Sequence, residues 1–242
     1  MTTCAIIQAR TGSTRLPRKV LQDIGGRTML ARVVERARAA RLVDEVIVAT
    51  TVLPEDDAIV AACVALDVRV SRGSELDVLD RYHQAALAAR ADTVVRITSD
   101  CPLLDPALVD ELVGRFEAER PDYASNSLDH RYPRGLDAEC MTQAALGHAW
   151  RAATRPYERV HVTPYLYQNP HLFRLLSVSP PGDHGRHRWT VDTPADLALV
   201  RAVWERLGRS DFGWRDVLAV VDGDATIRAL NAHVQQKALE EG

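Results

Sequence analysis

Lysine is almost missing from this chain of 242 residues. Of its 30 basic residues only Lys19 and Lys237 are lysine, which leaves 28 arginines. That skew is what a GC-rich coding background produces and carries no functional weight by itself. A global basic charge is also lacking: the net charge is −3 and the isoelectric point is near 6.2. General attraction to nucleic acid or to an anionic membrane is therefore excluded, and a polyanion site must be a local cluster of cations. Long apolar runs are absent too, none approaching the ~20 residues that span a bilayer. The first residues show no charged segment followed by a long apolar one, so no signal peptide is expected. Cysteine is sparse: Cys4, Cys63, Cys101 and Cys140 are scattered, without a C-x-x-C pair or zinc-type spacing. Reduced thiols in a cytoplasmic protein are the expectation. Repeats and low-complexity linkers are likewise missing. With 46% hydrophobic and 26% charged residues, the whole chain, 1–242, reads as one domain with an ample core.

What is present is alternation. Short apolar runs suit buried strands at residues 3–9, 45–50, 68–71, 93–98 and 188–192. Between them lie helix-period segments: Leu30, Val33, Val34 and Ala37 at i, i+3, i+4 and i+7, then residues 55–66 and 77–90. A further helix opens at Pro106 with Asp105 as its N-cap. Another covers residues 194–207, and two more close the chain, one of them over 225–239. The pattern predicts an α/β fold of three layers, αβα, around a mostly parallel sheet. Residues 125–181 are richer in Tyr, His, Asn and Pro, with weaker periodicity. They read as an insertion or flap carrying substrate contacts and part of a homodimer interface.

Chemistry concentrates in three places. The first is the run Gln8-Ala9-Arg10-Thr11-Gly12-Ser13-Thr14-Arg15-Leu16-Pro17-Arg18-Lys19, directly after the first strand. In open α/β sheets ligands sit at the carboxyl ends of strands, which is where this loop falls. Gly12 and Ser13 let backbone N–H groups approach an anion, while Arg10, Arg15, Arg18 and Lys19 bring about four positive charges, near what a triphosphate carries. The run fits neither the Walker A pattern nor the dinucleotide fingerprint. The second place is Asp100, at the end of the 93–98 strand. The third is Asp192, placed at the end of the 188–192 strand, before Thr193 (N-cap), Pro194 and Asp196 in a capping-box pattern. The cap accounts for the last three and leaves Asp192 over. Two carboxylates facing a triphosphate are what Mg²⁺ needs, since it takes one or two carboxylates plus phosphate oxygens.

Together these motifs, Q-A-R-T-G-S-T-R-L-P-R-K, S-D-C-P and V-D-T-P-A-D-L, resemble the cytidylyltransferase family over roughly residues 3–207. That family contains the enzymes that make CMP-activated 3-deoxy-manno-octulosonate and CMP-sialic acids, and the likeness is greatest to the spore-coat polysaccharide F branch. The resemblance implies the nucleotide-diphospho-sugar-transferase-like fold and a CTP- and Mg²⁺-dependent nucleotidyltransferase. In such an enzyme an oxygen of a small sugar or sugar-acid acceptor attacks the α-phosphate and pyrophosphate leaves. It implies phosphate binding by Arg10, Ser13, Arg15 and Lys19, metal ligation by Asp100 and Asp192, and base contacts at Arg72 and Gly73. Asp137, Glu139 and His161 resemble acceptor-side residues. The chain departs at Arg18, where the family usually has glycine, and at Val160, where the branch tends to have glutamate.

Other residues read more plainly. Cys101 is expected to be a buried small side chain. His184 and His187 belong to a solvated loop, and Asp222-Gly223-Asp224 to a turn with an N-cap. His161 is either a structural histidine or an acceptor-site residue. A glycosyltransferase of related fold would carry D-x-D near residue 100, where this chain has Ser99-Asp100-Cys101. A non-catalytic nucleotide-binding protein is the remaining alternative.

Overall fold

A computed structural model of the chain describes residues 1–236. Its central strand is β1 (Thr3–Gln8), buried because it is apolar on both faces: Ala5 and Ile7 point to one side, Cys4 and Ile6 to the other. The cationic loop follows and ends in a 3-10 turn at Lys19–Leu21. A small ribbon, β2 (Asp23–Ile24) with β3 (Arg27–Thr28), leads to α1 (Met29–Arg38), capped by Thr28. The alternation continues with β4 (Glu45–Thr51), α2 (Asp57–Ala65), β5 (Arg69–Gly73), α3 (Val78–Ala89), β6 (Thr93–Thr98) and α4 (Pro106–Glu119). Then come β7 (Tyr123–Ser125), β8 (Glu139–Thr142), α5 (Gln143–Ala152), α6 (Pro156–His161), α7 (Pro164–Tyr167) and β9 (Leu175–Ser177). Helices α8 (Pro194–Leu207), α9 (Trp214–Gly223) and α10 (Ala225–Ala229) complete the elements.

The main sheet runs β5-β4-β1-β6-β8-β7-β9. Every pairing in it that excludes β8 is parallel, and β8 is antiparallel to both neighbours. One face is covered by apolar residues of α1, α2 and α4, the other by α3, α5 and α7, with α6 packed against α3. The expected αβα layering and mostly parallel sheet are present. A third cluster joins α8, α9 and α10 to Trp189, Leu136 and Leu103 beyond the sheet edge. Asp105 ties this cluster to α4: its carboxylate accepts from Ala107 N at 2.9 Å and from Trp214 N at 2.7 Å, capping one helix and fixing the start of another.

Three expectations need correction. Residues 188–192 are not a strand, because the flank of β6 they would need is taken by β8. The segment is extended but touches other chain only piecemeal: a single bridge joins Arg134 and Arg188, Trp189 N donates to Arg134 O at 2.7 Å, and Val191 N donates to Asp100 O at 2.8 Å. Residues 125–181 are more regular than their composition indicates, since β8 and β9 enter the main sheet and α5 and α7 cover one face. The closing helix is shorter than 225–239: α10 stops at Ala229, and residues 237–239, Lys237 among them, lie outside the described part. No helix among the described residues is long and apolar enough to cross a membrane.

Candidate active site

The parallel strands β1, β4 and β6 end at one edge, and the cationic loop leaves from that edge at Gln8. The loop is folded back on itself at Thr11, whose carbonyl accepts from Ser13 N at 2.8 Å and Arg18 N at 2.9 Å. That return brings Lys19 under the end of β6. Its Nζ donates to Asp100 Oδ2 at 3.0 Å, Asp192 Oδ1 at 2.8 Å and the Val191 carbonyl at 2.8 Å. Asp192 Oδ2 meets Arg15 at 3.1 Å and Arg188 at 2.7 Å. Two carboxylates and two cations expected from far-apart stretches thus share one crevice, with Arg188 beside them.

The charges hold each other. Burial alone would lower the Lys19 pKa, but attraction to Asp100 and Asp192 outweighs it and raises the ammonium above its ordinary value. Burial alone would raise Asp100, but Lys19 and a 2.5 Å hydrogen bond from Thr98 Oγ1 hold its carboxyl below the usual range. One cation, the Lys19 ammonium, already lies between the two carboxylates. Among the described residues no three His, Cys, Asp or Glu side chains gather to hold a metal. Asp100 and Asp192 are oxygen donors of the kind Mg²⁺ takes one or two of, beside phosphate oxygens and water.

The other expected residues are placed unevenly. Arg10 is exposed and pairs with Glu75 at 3.1 Å, and a Cβ on Gly12 would lie 3.6 Å from that same carboxylate. Ser13 Oγ caps Leu16 N at 3.4 Å inside the loop, and Ala9 N is tied to Ala49 O at 3.1 Å. Arg18 is exposed with φ 57° and ψ 27°, the left-handed conformation that favours glycine. Arg72 bonds the carbonyls of Thr51 and Leu53 and pairs with Asp57 at 2.8 Å, so its guanidinium staples the turn after β4. Gly73 lies against Arg81, whose Cγ would stand 2.8 Å from any Cβ there.

On the acceptor side, Asp137 is half-buried and accepts from Gly135 N at 3.2 Å. Burial, with Glu139 and Asp100 nearby, raises its carboxyl above the usual range despite that hydrogen bond and Arg134. Glu139 is buried inside the sheet, ion-paired with Arg96 and accepting from Tyr123 Oη and Thr163 Oγ1, each at 2.6 Å. Arg96 also donates to Gln8 Oε1 at 3.1 Å. His161 ends α6 half-exposed, and Val162 beyond it has φ 75°, with Thr163 N donating back to His161 O at 2.9 Å.

Cys101 is buried as expected, and Asp224 caps α10. His187 departs from the solvated loop: it is buried, 5.7 Å from the Trp189 ring, and His184 packs edge-on to Trp214. Two polar residues, Arg188 and Asp56, had no expected role in the site. Arg188 supports Asp192 and is itself held by buried Asp196 at 3.0 Å, while Asp56 lies under the loop. Arg188 opened the expected 188–192 strand, four residues before Asp192, and the capping role of Asp196 hid its part as a partner of Arg188. Asp56 had no signal, being one acid in a run of three. A separate cavity of about 800 Å³ between α1, α4 and α9 includes Arg36 and Trp214 but none of these crevice residues.

Known proteins resemble this chain over most of its length. A family profile described as cytidylyltransferase matches residues 4–206. An uncharacterised protein of Methanocaldococcus jannaschii is 40% identical over 238 residues, covering 98% of this chain and 97% of its own. The spore coat polysaccharide biosynthesis protein SpsF of Bacillus subtilis is 31% identical, covering 90% of this chain and 92% of its own. A solved cytidylyltransferase from Leptospira borgpetersenii superposes with a TM-score of 0.92 at 30% identity, over 98% of this chain and 99% of that one.

Proposed function

Since the chain belongs to the cytidylyltransferase family, a family of nucleotidyltransferases, we propose that it transfers CMP from CTP to an oxygen of a sugar or sugar acid, releasing pyrophosphate. The observation that carries this reading is the convergence of Lys19 and Arg15 on Asp100 and Asp192 at the carboxyl edge of the sheet. A phosphate chain entering the crevice offers its oxygens to the Arg10, Arg15 and Lys19 side chains and to the backbone at Gly12, while the Ser13 N–H stays on the Thr11 carbonyl. Such preset donors cost no rearrangement as charge builds in phosphoryl transfer. Asp100 and Asp192 would hold a magnesium ion, whose chemistry there is to draw charge from the phosphate oxygens. Arg188 keeps Asp192 oriented through the transfer. Asp137, with its raised pKa on the acceptor side, is the group suited to take the acceptor hydroxyl's proton. The acceptor surface is assigned to the loops around Asp137 and His161, in a homodimer acting in the cytoplasm.

The test is thermal shift with each of the four ribonucleoside triphosphates plus Mg²⁺, followed by pyrophosphate release with CTP and candidate sugar acids. CTP should raise Tm most and only weakly without Mg²⁺. Equal shifts with ATP and CTP would remove the cytidylyl assignment.

A further inference from the structure

The cationic loop has one attachment beneath it that no motif announces. Asp56, 1% exposed, closes the 3-10 turn Pro54–Asp56 at the start of α2. Its Oδ1 accepts from both Thr11 N and Thr11 Oγ1 at 2.7 Å, and its Oδ2 accepts from Thr51 Oγ1 at the end of β4. Thr11 is also the residue whose carbonyl accepts from Ser13 N and Arg18 N. Every polar group of Thr11 is therefore engaged, the donors below on Asp56 and the acceptor above on the loop.

We propose that Asp56 is the positioning residue of the nucleotide site, fixing Thr11 as the pivot about which the loop carries Gly12, Ser13, Arg15 and Lys19. The proposal rests on the reading of that loop as the triphosphate holder. The electrostatics favour shape over affinity. A carboxylate beneath an anion site repels the anion, so Asp56 is a poor choice for attracting phosphate. Its charge is absorbed locally: three donors fill its oxygens, and these hydrogen bonds outweigh burial to hold its pKa below the ordinary carboxylate value. A charged acceptor makes stronger, shorter bonds than a neutral one, which suits a fixed pivot. A shift of the pivot moves Arg15 and Lys19 together, because Arg15 lies within, and Lys19 directly after, the backbone turn that Arg18 N closes onto Thr11. Displacement of phosphate ligands by about 1 Å is enough to cost on the order of 10²-fold in a positioned reaction.

The experiment compares wild type with Asp56→Asn, Thr11→Val, Thr11→Ser and the control Asp110→Ala. Asp110 holds Leu42 N at 2.9 Å and plays no part in the crevice. Calorimetry with CTP and Mg²⁺ gives Kd, thermal melting gives Tm, and turnover gives kcat and KM separately. Asp56→Asn and Thr11→Val should weaken CTP by roughly tenfold or more, the scale of one lost charge-assisted hydrogen bond. Thr11→Ser should bind within about twofold of wild type, since its N–H and hydroxyl survive. Asp110→Ala should lose Tm with Kd unchanged. If Asp56→Asn and Thr11→Val lose Tm but bind CTP like wild type, Asp56 is only a structural staple and the proposal falls. Wild type that binds CTP with unaffected variants sinks the proposal alone. Wild type that binds no triphosphate sinks the underlying reading and the proposal with it.

Discussion

Lys19 Nζ donates to Asp192 Oδ1 at 2.8 Å across 173 residues of chain, and to Asp100 Oδ2 at 3.0 Å across 81. A single ammonium thus occupies the gap where a divalent ion would meet both carboxylates. On the proposed function, lysine and metal would compete in the ligand-free protein, and a bound triphosphate would relieve the competition by offering Lys19 phosphate oxygens instead. Lys19→Met should bind Mn²⁺ about tenfold tighter than wild type without nucleotide, the counterpart of ~1.4 kcal/mol. The same variant should bind CTP more weakly. Calorimetry showing unchanged Mn²⁺ affinity in Lys19→Met would separate Lys19 from the metal site.

Asp137 offers a test of opposite sign for stability and function. Burial near Glu139 and Asp100 raises its pKa from 3.8, so the folded state prefers the protonated acid. Ionising it therefore removes stability as pH rises through the folded value, and no such loss exists below 3.8. Asp137→Asn keeps an acceptor for Gly135 N and sheds the charge. It should raise Tm at pH 7, with the gain vanishing below pH 3.8, while turnover falls about 10²-fold or more if Asp137 takes the proton. Melting curves at pH 7 and pH 3.5 (roughly the protonated limit) read the first part, and kcat the second.

Arg18 has φ 57° where its family resemblance calls for glycine. A side chain in the left-handed region costs ~1 kcal/mol, which glycine avoids. Arg18→Gly should raise Tm by about 2–4 °C for a chain of this size. If Arg18 also contributes charge to the triphosphate, Kd for CTP should weaken in the same variant. A fall in Tm would show that the exposed arginine makes contacts worth more than the backbone strain.

How far the sequence could be read depended on what kind of signal each element carried. The strand at 93–98 and the helix opening at Pro106 were legible because apolar period and cap chemistry agree there. Residues 139–142 were not, since Glu139 interrupts the apolar run, and only its partners Arg96, Tyr123 and Thr163 make a buried carboxylate tolerable. Asp192 was found through a wrong intermediate, a strand that the neighbouring β8 forbids. The segment still reaches the crevice because Trp189 anchors it in the α8–α10 cluster and Val191 N bonds Asp100 O. The cations of the loop were legible in sequence, but their support by Asp56 and Arg188 was not, because it comes from side-chain contacts between distant segments.

The pair Asp100 and Asp192 gives the sharpest test. Each is held by Lys19, and Asp192 also by Arg15 and Arg188, so removing one charge leaves the cations partly unmatched rather than a bare acid. Asn keeps the size and one acceptor, and folding should change little. If both act through one ion, either Asp100→Asn or Asp192→Asn should lower kcat by on the order of 10²–10⁴, and the double variant should be scarcely worse than the poorer single one. Independent roles would instead make the losses multiply. Asp192 has a competing explanation as part of the ion network before α8, where Arg188 binds Asp196 as well. That role predicts a lower Tm with turnover preserved. Near-full activity in Asp192→Asn beside an inactive Asp100→Asn would therefore assign Asp192 to the network and end the two-carboxylate site.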